Sequence, residues 1–390
     1  MAWTSPKTWT ADELLTASDL NQYISDNLYA LYALTQGGGR KNLLHNGQMQ
    51  IAQRSSSVAS ISAASGAYYT ADRWACDVTT LGTWTQSVEN DAPTGSGWRK
   101  SLKMLCSSAD ASPATTDTVK VFTAIEGQNL QSVLKGTTSA QQLTLSFWVK
   151  SNKTGTYICE LYDNDNTRHC SQSYTISSSA TWEQKSITFP ADLTGAFDND
   201  NAGSLSLYFH LAEGPSQTSG TLATTWASYT AANRAVGQTN LGASNSNYWQ
   251  VTGCQLEIGS ANTGFEFKNY DQELRECQRY YAVLASGTGK ALAHGYAMSS
   301  TRIWWTMTTP VTMRVTPTAL TTTDGTSYWG FNVAGSEDLF NSVSLDTGQS
   351  TPDIAVFYNT QTSEISQTGG VSGLIETNSS ACVLGLSADL

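Results

Sequence analysis

The sequence is poor in charge, and this lack narrows the classes of protein that it can encode. Of its 390 residues only 14% are Asp, Glu, Lys or Arg, against roughly 25% in an ordinary globular domain. The 21 basic side chains are outnumbered by 32 acidic ones, which gives a formal net charge of -11. A protein that binds nucleic acid through its phosphates needs a basic face, so the composition argues against a nucleic-acid partner.

Long apolar runs and cysteine motifs are absent as well. No run of 18 apolar residues occurs, so we expect no helix that inserts into a membrane. The first residues lack the basic and apolar regions of a signal peptide. The seven cysteines are an odd number without a Cys-x-x-Cys pair, which favours free thiols in a reducing cytosol. Cys159 and Cys170 are left open, because a hairpin between them would let them face each other.

The chain is rich in the residues that form strands and turns. About a quarter of the residues are Ser or Thr, and there are 12 Trp, 17 Tyr and 31 Gly. A hydrophobic fraction of 39%, with 10% aromatic residues, is enough to fill real cores. We therefore predict a mainly β protein, divided into two or three folding units.

The N-terminal part, residues 1–40, is predicted to form a helix over 11–36 that ends at three consecutive glycines. Thr16 and Ser18 offer side-chain oxygens to the amides of its first turn. Residues at alternating steps of three and four form a seam typical of coiled coils: Ala17, Leu20, Ile24, Asn27, Leu31 and Leu34. Because the seam spans fewer than three heptads, two interpretations stay open. The helix either joins copies of the chain or packs on its own domain.

Residues 41–268 show the two-residue periodicity of half-buried strands, without helices between them. The clearest runs are Leu143–Lys150, Tyr157–Tyr162, Trp182–Phe189, Ser204–Leu211 and Tyr248–Glu257. Such strands predict a two-sheet sandwich of the jelly-roll kind.

The remaining sequence predicts a linker helix and a second β domain. The linker, residues 269–285, has a helical pattern over 269–284, with Asn269 or Asp271 as its cap. The β domain, residues 286–390, is predicted from three strand-like runs: Arg302–Met307, Val311–Val315 and Ile354–Tyr358.

No motif of a catalytic site is present. A glycosidase needs two carboxylates that flank the bond, but acidic residues are sparse and no short solenoid repeat is visible. A Gly-x-Ser-x-Gly elbow is also absent. We therefore expect a protein that is not an enzyme and has no catalytic residues.

Two acidic turns, Asp163–Asn166 and Asp198–Asn201, offer several oxygen ligands each. Asp163, Asp165, Asp198 and Asp200 are thus candidate ligands of a structural Ca²⁺ ion, which takes six to eight oxygens. Asp and Asn are also ordinary turn formers, and that role is the favoured interpretation. No other cofactor is expected.

Paired aromatic residues are the best candidates for recognition of a ligand. The apolar face of a sugar ring can lie on Trp or Tyr, while its hydroxyls bond to polar neighbours. The candidates are Trp304, Trp305, Tyr328 and Trp329. Since consecutive side chains of a strand point to opposite faces, one member of each pair is expected in the core. Packing between the chains of a trimer would use the same residues.

Three separated stretches resemble one family, the tail-fibre and receptor-binding proteins of tailed phages. The first is Trp9–Asn21 with Asp26–Leu28, and the third is Pro310–Thr318 with the ending Leu386–Leu390. The second comprises Gln255–Gly259, Thr263–Glu266, Glu273–Leu274 and Cys277–Tyr281. It is similar to the last strand and exit helix of the carbohydrate-binding-module-like jelly roll of such fibres. Gly264 stands where that family usually has proline.

The resemblance implies a virion component of the phage tail, made in the bacterial cytoplasm and usually a homotrimer. Its N-terminal segment would attach to tail or baseplate proteins through Leu20, Ile24, Asn27, Leu31 and Leu34. Its β domains, with residues 286–390 as the distal tip, would bind a host surface glycan or another receptor. The alternatives are a purely structural head fibre or minor tail protein and, less favoured, a capsule depolymerase.

Overall fold

A computed structural model describes residues 10, 13, 14, 16–25, 41–361 and 365–390. The protein is mainly β, as the composition predicts, and its sheets form sandwiches of the jelly-roll type. The chain divides into two compact units between Phe267 and Lys268. No helix within the described ranges is long and apolar enough to cross a membrane.

The described part of the N-terminal segment is helical. A helical turn, α1 (Ala17–Asp19), continues as a wider π-helical turn over Leu20–Ser25. Thr16 caps this start, because its hydroxyl accepts a hydrogen bond from the Asp19 amide while the Asp19 carboxylate accepts one from the Thr16 amide. This capping box agrees with the cap predicted at Thr16.

Over the residues that the structure describes, the first unit contains eleven antiparallel strands and a few short helical turns. The strands are β1 (Ser57–Ala67), β2 (Ala75–Glu89), β3 (Ser101–Ser108), β4 (Thr118–Glu126), β5 (Leu143–Ser151), β6 (Gly155–Asp163), β7 (Arg168–Ile176), β8 (Glu183–Phe189), β9 (Gly203–Glu213), β10 (Ala227–Ser228) and β11 (Tyr248–Ile258). The turns are α2 (Pro215–Thr218) and 3₁₀ turns at Gly127–Asn129, Gln131–Val133, Ala231–Asn233 and Leu241–Ala243.

The long strand β2 belongs to both layers of the sandwich. Its first part, residues 75–79, pairs with β4, and its last part, residues 83–89, pairs with β3. Between them Gly82 has a φ of 67°, and a Cβ atom there would lie 2.2 Å from the carbonyl oxygen of Ser108. Only glycine suits such a bend. One layer therefore runs β10-β7-β6-β9-β4-β2 and the other β2-β3-β11-β5-β8, with β1 beside β2.

Aromatic side chains from both layers fill the space between them. The Phe209 ring of β9 lies 5.0 Å from the Phe147 ring of β5 and 5.2 Å from the Trp249 ring of β11, measured between centroids. All three side chains are fully buried. This core fixes the inward faces of the strands and leaves the alternate residues for the outer faces.

The chain enters and leaves the first unit at the same place. The Leu43 amide donates to the Leu256 carbonyl over 2.9 Å, and the Asn42 amide donates to the Glu266 carboxylate over 2.7 Å. The ammonium of Lys41 donates to the carbonyls of Thr263 and Gly264. We call these contacts the terminal clasp of the unit.

The second unit begins with helix α3 (Tyr270–Gln278) and contains two sheets. Its strands are β12 (Tyr281–Ser286), β13 (Ala291–Ser299), β14 (Arg302–Thr308), β15 (Ala319–Thr322), β16 (Trp329–Val333), β17 (Ser336–Phe340), β18 (Val343–Leu345), β19 (Ile354–Asn359), β20 (Ser372–Thr377) and β21 (Val383–Ser387). The small sheet runs β12-β21-β15 and the large one β17-β16-β20-β13-β14-β19-β18.

Two predictions for this unit are wrong, one in its bounds and one in the kind of element. The helix predicted over 269–284 ends at Gln278, and Tyr281–Ser286 is a strand paired with β21. A short apolar run such as this one is compatible with a helix or a strand. Here it forms a strand because it pairs with β21. The run Val311–Val315 is not a strand, although Met313 within it is a core residue.

All seven cysteines are buried free thiols. Cys159 does not face Cys170 across the β6–β7 hairpin, because it pairs with Gln172 while Cys170 pairs with Leu161. Burial raises the pKa of the thiols of Cys76 and Cys170 to about 12. They are therefore poor nucleophiles in the folded chain.

Candidate functional site

The four aromatic candidates of the second unit separate into core and surface residues. Trp305 is 3% exposed and Trp329 is 0% exposed, so neither can contact a ligand. They leave the set of candidate ligand contacts and are the core member that is expected in each pair. Trp304 and Tyr328 are each half-buried, and Tyr328 packs against the hydrophobic core of the unit.

Trp304 lines an open groove of about 810 Å³ on the outer face of the large sheet. We call it the β14–β19 groove, after the two strands at its floor. Its lining residues come from the ends of β13 and β14, from β18 and the turn after it, and from β19 and the residue after it: Met298, Ser299, Arg302, Trp304, Leu345, Asp346, Thr347, Tyr358 and Thr360.

Strand register aligns three aromatic residues across this face. Trp304 of β14 is directly opposite Tyr296 of β13 on one side and Tyr358 of β19 on the other. The Trp304 and Tyr358 rings have centroids 6.2 Å apart and planes inclined by 31°. Tyr296 is 48% exposed. The three side chains share one face of the sheet, and their partly exposed rings are of the kind on which a flat ring can lie.

Arg302 adds a positive charge at one end of the groove. Its guanidinium carbon lies 4.8 Å from the centroid of the Tyr358 ring, which is a cation–π geometry. Its Nη1 donates to the carbonyl oxygen of Asn359 over 3.2 Å. The Asn359 side chain is itself fixed, because its Oδ1 accepts from the Ile303 amide over 2.8 Å. The position of the guanidinium is therefore set by the adjacent strands.

The remaining lining residues supply hydroxyls and one carboxylate. Asp346 Oδ1 accepts from the amides of Gly348 and Gln349 over 3.0 and 3.1 Å, which orders the turn after β18. The Thr360 hydroxyl lies 2.8 Å from that of Ser344. Ser299 and Thr347 are exposed. The groove thus combines an aromatic floor with short polar side chains at its rim, an arrangement suited to a polyhydroxylated ligand.

Tyr328 is not part of this groove. It precedes β16, where its carbonyl oxygen accepts from the Asn378 amide over 2.7 Å. The sequence analysis missed Tyr296, Arg302 and Tyr358 as site residues. Arg302 and Tyr358 lie within two of the predicted strands, but only the register of β13, β14 and β19 brings the three residues together.

The first unit carries a second polar cluster, which is buried. Glu160 of β6 accepts from His169, His210 and Arg234, and the shortest of these contacts joins its Oε2 to Arg234 Nη2 over 2.6 Å. Burial alone would raise the pKa of Glu160, but the charge of Arg234 and the histidine hydrogen bonds hold it well below its ordinary value. The guanidinium also contacts the rings of three tyrosines: Tyr162, Tyr208 and Tyr229.

This cluster serves the fold, since each of its charges already has a partner. Arg234 is 7% exposed, and the pKa of its guanidinium is raised by Glu160 against the opposing effect of burial. His210 also contacts Glu213, with 2.7 Å between Nδ1 and Oε1. The network attaches the segment that carries Arg234 to the outer face of β6 and β9.

The candidate calcium ligands take other roles. The Asp163 carboxylate lies 2.5 Å from the ammonium of Lys135, which also contacts Asp192 over 3.1 Å and donates to the carbonyls of Thr194 and Gly195. These five residues form the Lys135 cage, in which the ammonium occupies the position that a metal ion would take.

The other three acids act in turns. Asp165 Oδ2 accepts from the Asp198 amide, and Asp200 Oδ1 accepts from the Ala202 amide, each over 2.9 Å. Within the described ranges, Asp163, Asp165, Asp198 and Asp200 do not form a cluster of three carboxylate ligands. Their contacts agree with the favoured interpretation as turn residues.

The predicted attachment residues lie mostly outside the described part of the chain. Leu20 is 42% exposed, and Ile24 belongs to the turn Leu20–Ser25. Asn27, Leu31 and Leu34 are not among the described residues. The seam and its role in oligomerisation stay predictions.

Comparison with known proteins gives likenesses at the level of fold. No protein-family model matches the sequence, and no curated protein matches it. Among solved structures, the enzymatically active domain of tailspike protein 4 of bacteriophage CBA120 is 13% identical, with a TM-score of 0.29. That match covers 56% of this chain but only 21% of the tailspike.

Carbohydrate-binding modules give similar values. TmCBM61, solved with β-1,4-galactotriose, is 8% identical with a TM-score of 0.29, and the match covers 56% of this chain and 99% of the module. The family 11 module of Clostridium thermocellum is 13% identical with a TM-score of 0.27, over 48% of this chain and 89% of the module. At identities and TM-scores this low, no functional argument rests on them.

Proposed function

We propose that the protein binds a glycan in the β14–β19 groove. The observation that carries this proposal is the aromatic row in which half-buried Trp304 and Tyr358 line the groove and exposed Tyr296 lies beside Trp304, together with the hydroxyls and Arg302 of the lining. A pyranose places its apolar face on such rings and turns its hydroxyls toward polar side chains at the rim. The open groove suits a chain of sugars that passes through it.

The glycan is bound and not cleaved. Hydrolysis of a glycosidic bond uses two carboxyl groups on either side of the bond, and Asp346 is the one carboxylate among the nine residues that line the groove. Incubation of the full chain with host capsule or lipopolysaccharide, followed by sizing of the glycan, tests this point. Shortened glycan chains would favour a depolymerase instead.

We further propose that the protein is a trimeric fibre of a phage virion. The three family-like stretches support this role, with residues 1–40 attached to the tail or baseplate and the groove presented to the host surface. A purely structural head fibre or minor tail protein is the competing assignment. Glycan binding separates the two, because a protein that only packs against virion neighbours has no need of a sugar site.

The direct test of the glycan site is a binding screen with the full chain on an array of bacterial surface glycans. Trp304→Ala should weaken binding at least tenfold, or about 1.4 kcal/mol, because the central ring of the row is lost. Tyr270→Ala removes another exposed aromatic side chain of the same unit, 56% exposed and outside the groove, and should leave binding unchanged. Equal affinities of the two variants would refute the proposal.

A further inference from the structure

Arg302 forms no ion pair with a described residue, and Asp346, the one carboxylate in the lining of the groove, is not in contact with its guanidinium. No described carboxylate lies within 4 Å of its guanidinium, whose contacts are the Tyr358 ring and the Asn359 carbonyl oxygen. Toward the described residues, one of its N–H groups donates a hydrogen bond. Because arginine carries five such donors, the others face the groove or solvent.

A free guanidinium is unusual in this part of the sequence. From Tyr281 to Leu390 there are eight acidic residues but only three basic ones, Lys290, Arg302 and Arg314. Arg314 donates to the carbonyls of Ala388 and Asp389, and Lys290 is exposed outside the groove. Arg302 is thus the one cation among the groove's lining residues.

Arg234 and Arg302 differ in burial and in whether a carboxylate pairs with them. Arg234 lies against tyrosine rings as Arg302 does, but it is buried and makes three hydrogen-bonded contacts to Glu160. Arg302 has the ring without the carboxylate, and it is half-exposed. A ligand with an anionic group would supply the partner that pairs with this guanidinium.

We propose that the groove selects a glycan that carries an anionic group, bound by Arg302 while the sugar ring lies on Trp304. The planar fork of arginine pairs with carboxylate or phosphate through two parallel hydrogen bonds. Both anions share this chemistry, so the class comprises uronic-acid-type and phosphate-bearing sugars. The inference rests on the proposed function, since it names the ligand class of that groove.

The test uses the full chain and an array that prints each bacterial surface oligosaccharide in matched forms. Acidic sugars are present as such and after carboxyl reduction, and phosphorylated sugars before and after dephosphorylation. The native chain should bind at least one anionic form tenfold or more tightly than its neutral partner. The kind of pair that shows the preference identifies the anion as carboxylate or phosphate.

Variants assign the preference to Arg302. Arg302→Gln should abolish the tenfold preference and bind the two forms alike, and Arg302→Lys should recover part of it, because the charge returns without the fork. Arg275→Gln makes the same charge change at an exposed site outside the groove and should keep the preference. Circular dichroism and melting curves verify that each variant is folded.

The outcomes of these experiments test the anionic ligand class separately from the glycan site. Equal binding of anionic and neutral forms by the native chain overturns the inference and leaves the glycan site standing. The same holds if Arg302→Gln weakens both forms equally, since the arginine would then only position Tyr358. Binding to no glycan of the array overturns both.

Discussion

Lys135, Arg234 and Arg302 are each held against aromatic rings, but their charges are balanced in different ways. Two buried carboxylates and two carbonyls surround Lys135, and Glu160 balances Arg234. Arg302 has neither. In a chain with so few charges, each buried one must have a partner because an unpaired buried charge costs several kcal/mol.

Replacement of Lys135 by methionine should destabilise the first unit by about 3–5 kcal/mol, since Asp163 and Asp192 would lose their buried partner. Urea unfolding followed by tryptophan fluorescence measures this loss. Lys153→Met is the control, because the Lys153 side chain is only partly buried. Similar unfolding free energies for the two variants would contradict the role assigned to the cage.

The same cage predicts that chelators leave the native chain unchanged. An ammonium already occupies the position between the carboxylates of Asp163 and Asp192, so Ca²⁺ has no vacant place there. The melting temperature should be equal in EDTA and in millimolar Ca²⁺. A higher melting temperature in Ca²⁺ would indicate that the acidic turns bind the ion.

Glu160 should make the first unit sensitive to acid. Its pKa is held well below the ordinary value in the folded chain, whereas a glutamate in the unfolded chain has a pKa of about 4.3. A lowered folded pKa contributes stability that is full above the unfolded pKa and is lost as the pH falls through the folded pKa.

The unfolding free energy should therefore decrease steeply below about pH 4. Glu160→Gln should lower stability at pH 7 and flatten this decrease, while Glu89→Gln, at a partly exposed position, should alter neither. Denaturant midpoints at pH 7 and pH 3 supply the comparison. An unchanged pH slope in Glu160→Gln would exclude this carboxylate as the acid-sensitive group.

At the scale of elements, the turn after β11 departs from the family that the sequence resembles. Gly264 has a φ of 85°. Proline cannot adopt this angle, because its ring fixes φ at about -65°. The Gly264 amide also donates to Asn262 Oδ1 over 3.1 Å, and its carbonyl accepts from Gln255. The turn is therefore built for glycine.

Gly264→Pro, the residue usual in that family, should destabilise the first unit by more than about 1 kcal/mol. Gly264→Ala should cost less, because alanine keeps the amide hydrogen bond and bears only the left-handed strain. Urea midpoints rank the two variants. A proline variant as stable as the native chain would mean that the loop can rebuild itself in the family's form.

The elements that the sequence predicts well are short runs rich in apolar, aromatic and β-branched residues. The runs that became β5, β6, β8, β9, β11, β14 and β19 lie within a few residues of their observed bounds. Strands β1 to β4 were not singled out, because alternation in a Ser- and Thr-rich stretch is hard to read. Residues 281–284 fall within the predicted helix because a short apolar run carries no period of its own.

The candidate site is less accessible to sequence reasoning than the fold. Trp304 was chosen because two tryptophans are adjacent, and the alternation of a strand correctly predicts that one of them is buried. Tyr358 is 54 residues away from Trp304, and only the pairing of β14 with β19 brings it alongside. Long-range register depends on the packing of the whole sheet, which local pattern does not contain.

At the scale of the whole molecule, the fibre proposal predicts an oligomer. Light scattering of the full chain, whose mass is 41.9 kDa, should give three times that value. A deletion of residues 1–40 then locates the interface. A trimer that survives the deletion is held together by residues 41–390, and one that is lost is organised by the N-terminal seam. A monomeric full chain would contradict the fibre proposal.

The terminal clasp of the first unit has a mechanical consequence. Because the chain enters at Lys41 and leaves near Glu266, where the two segments are hydrogen-bonded, tension along the polypeptide loads the clasp first. The interleaved aromatic core between the two layers lies outside this load path. A pull transmitted through the chain would meet a small set of parallel bonds and leave the sandwich intact until they shear.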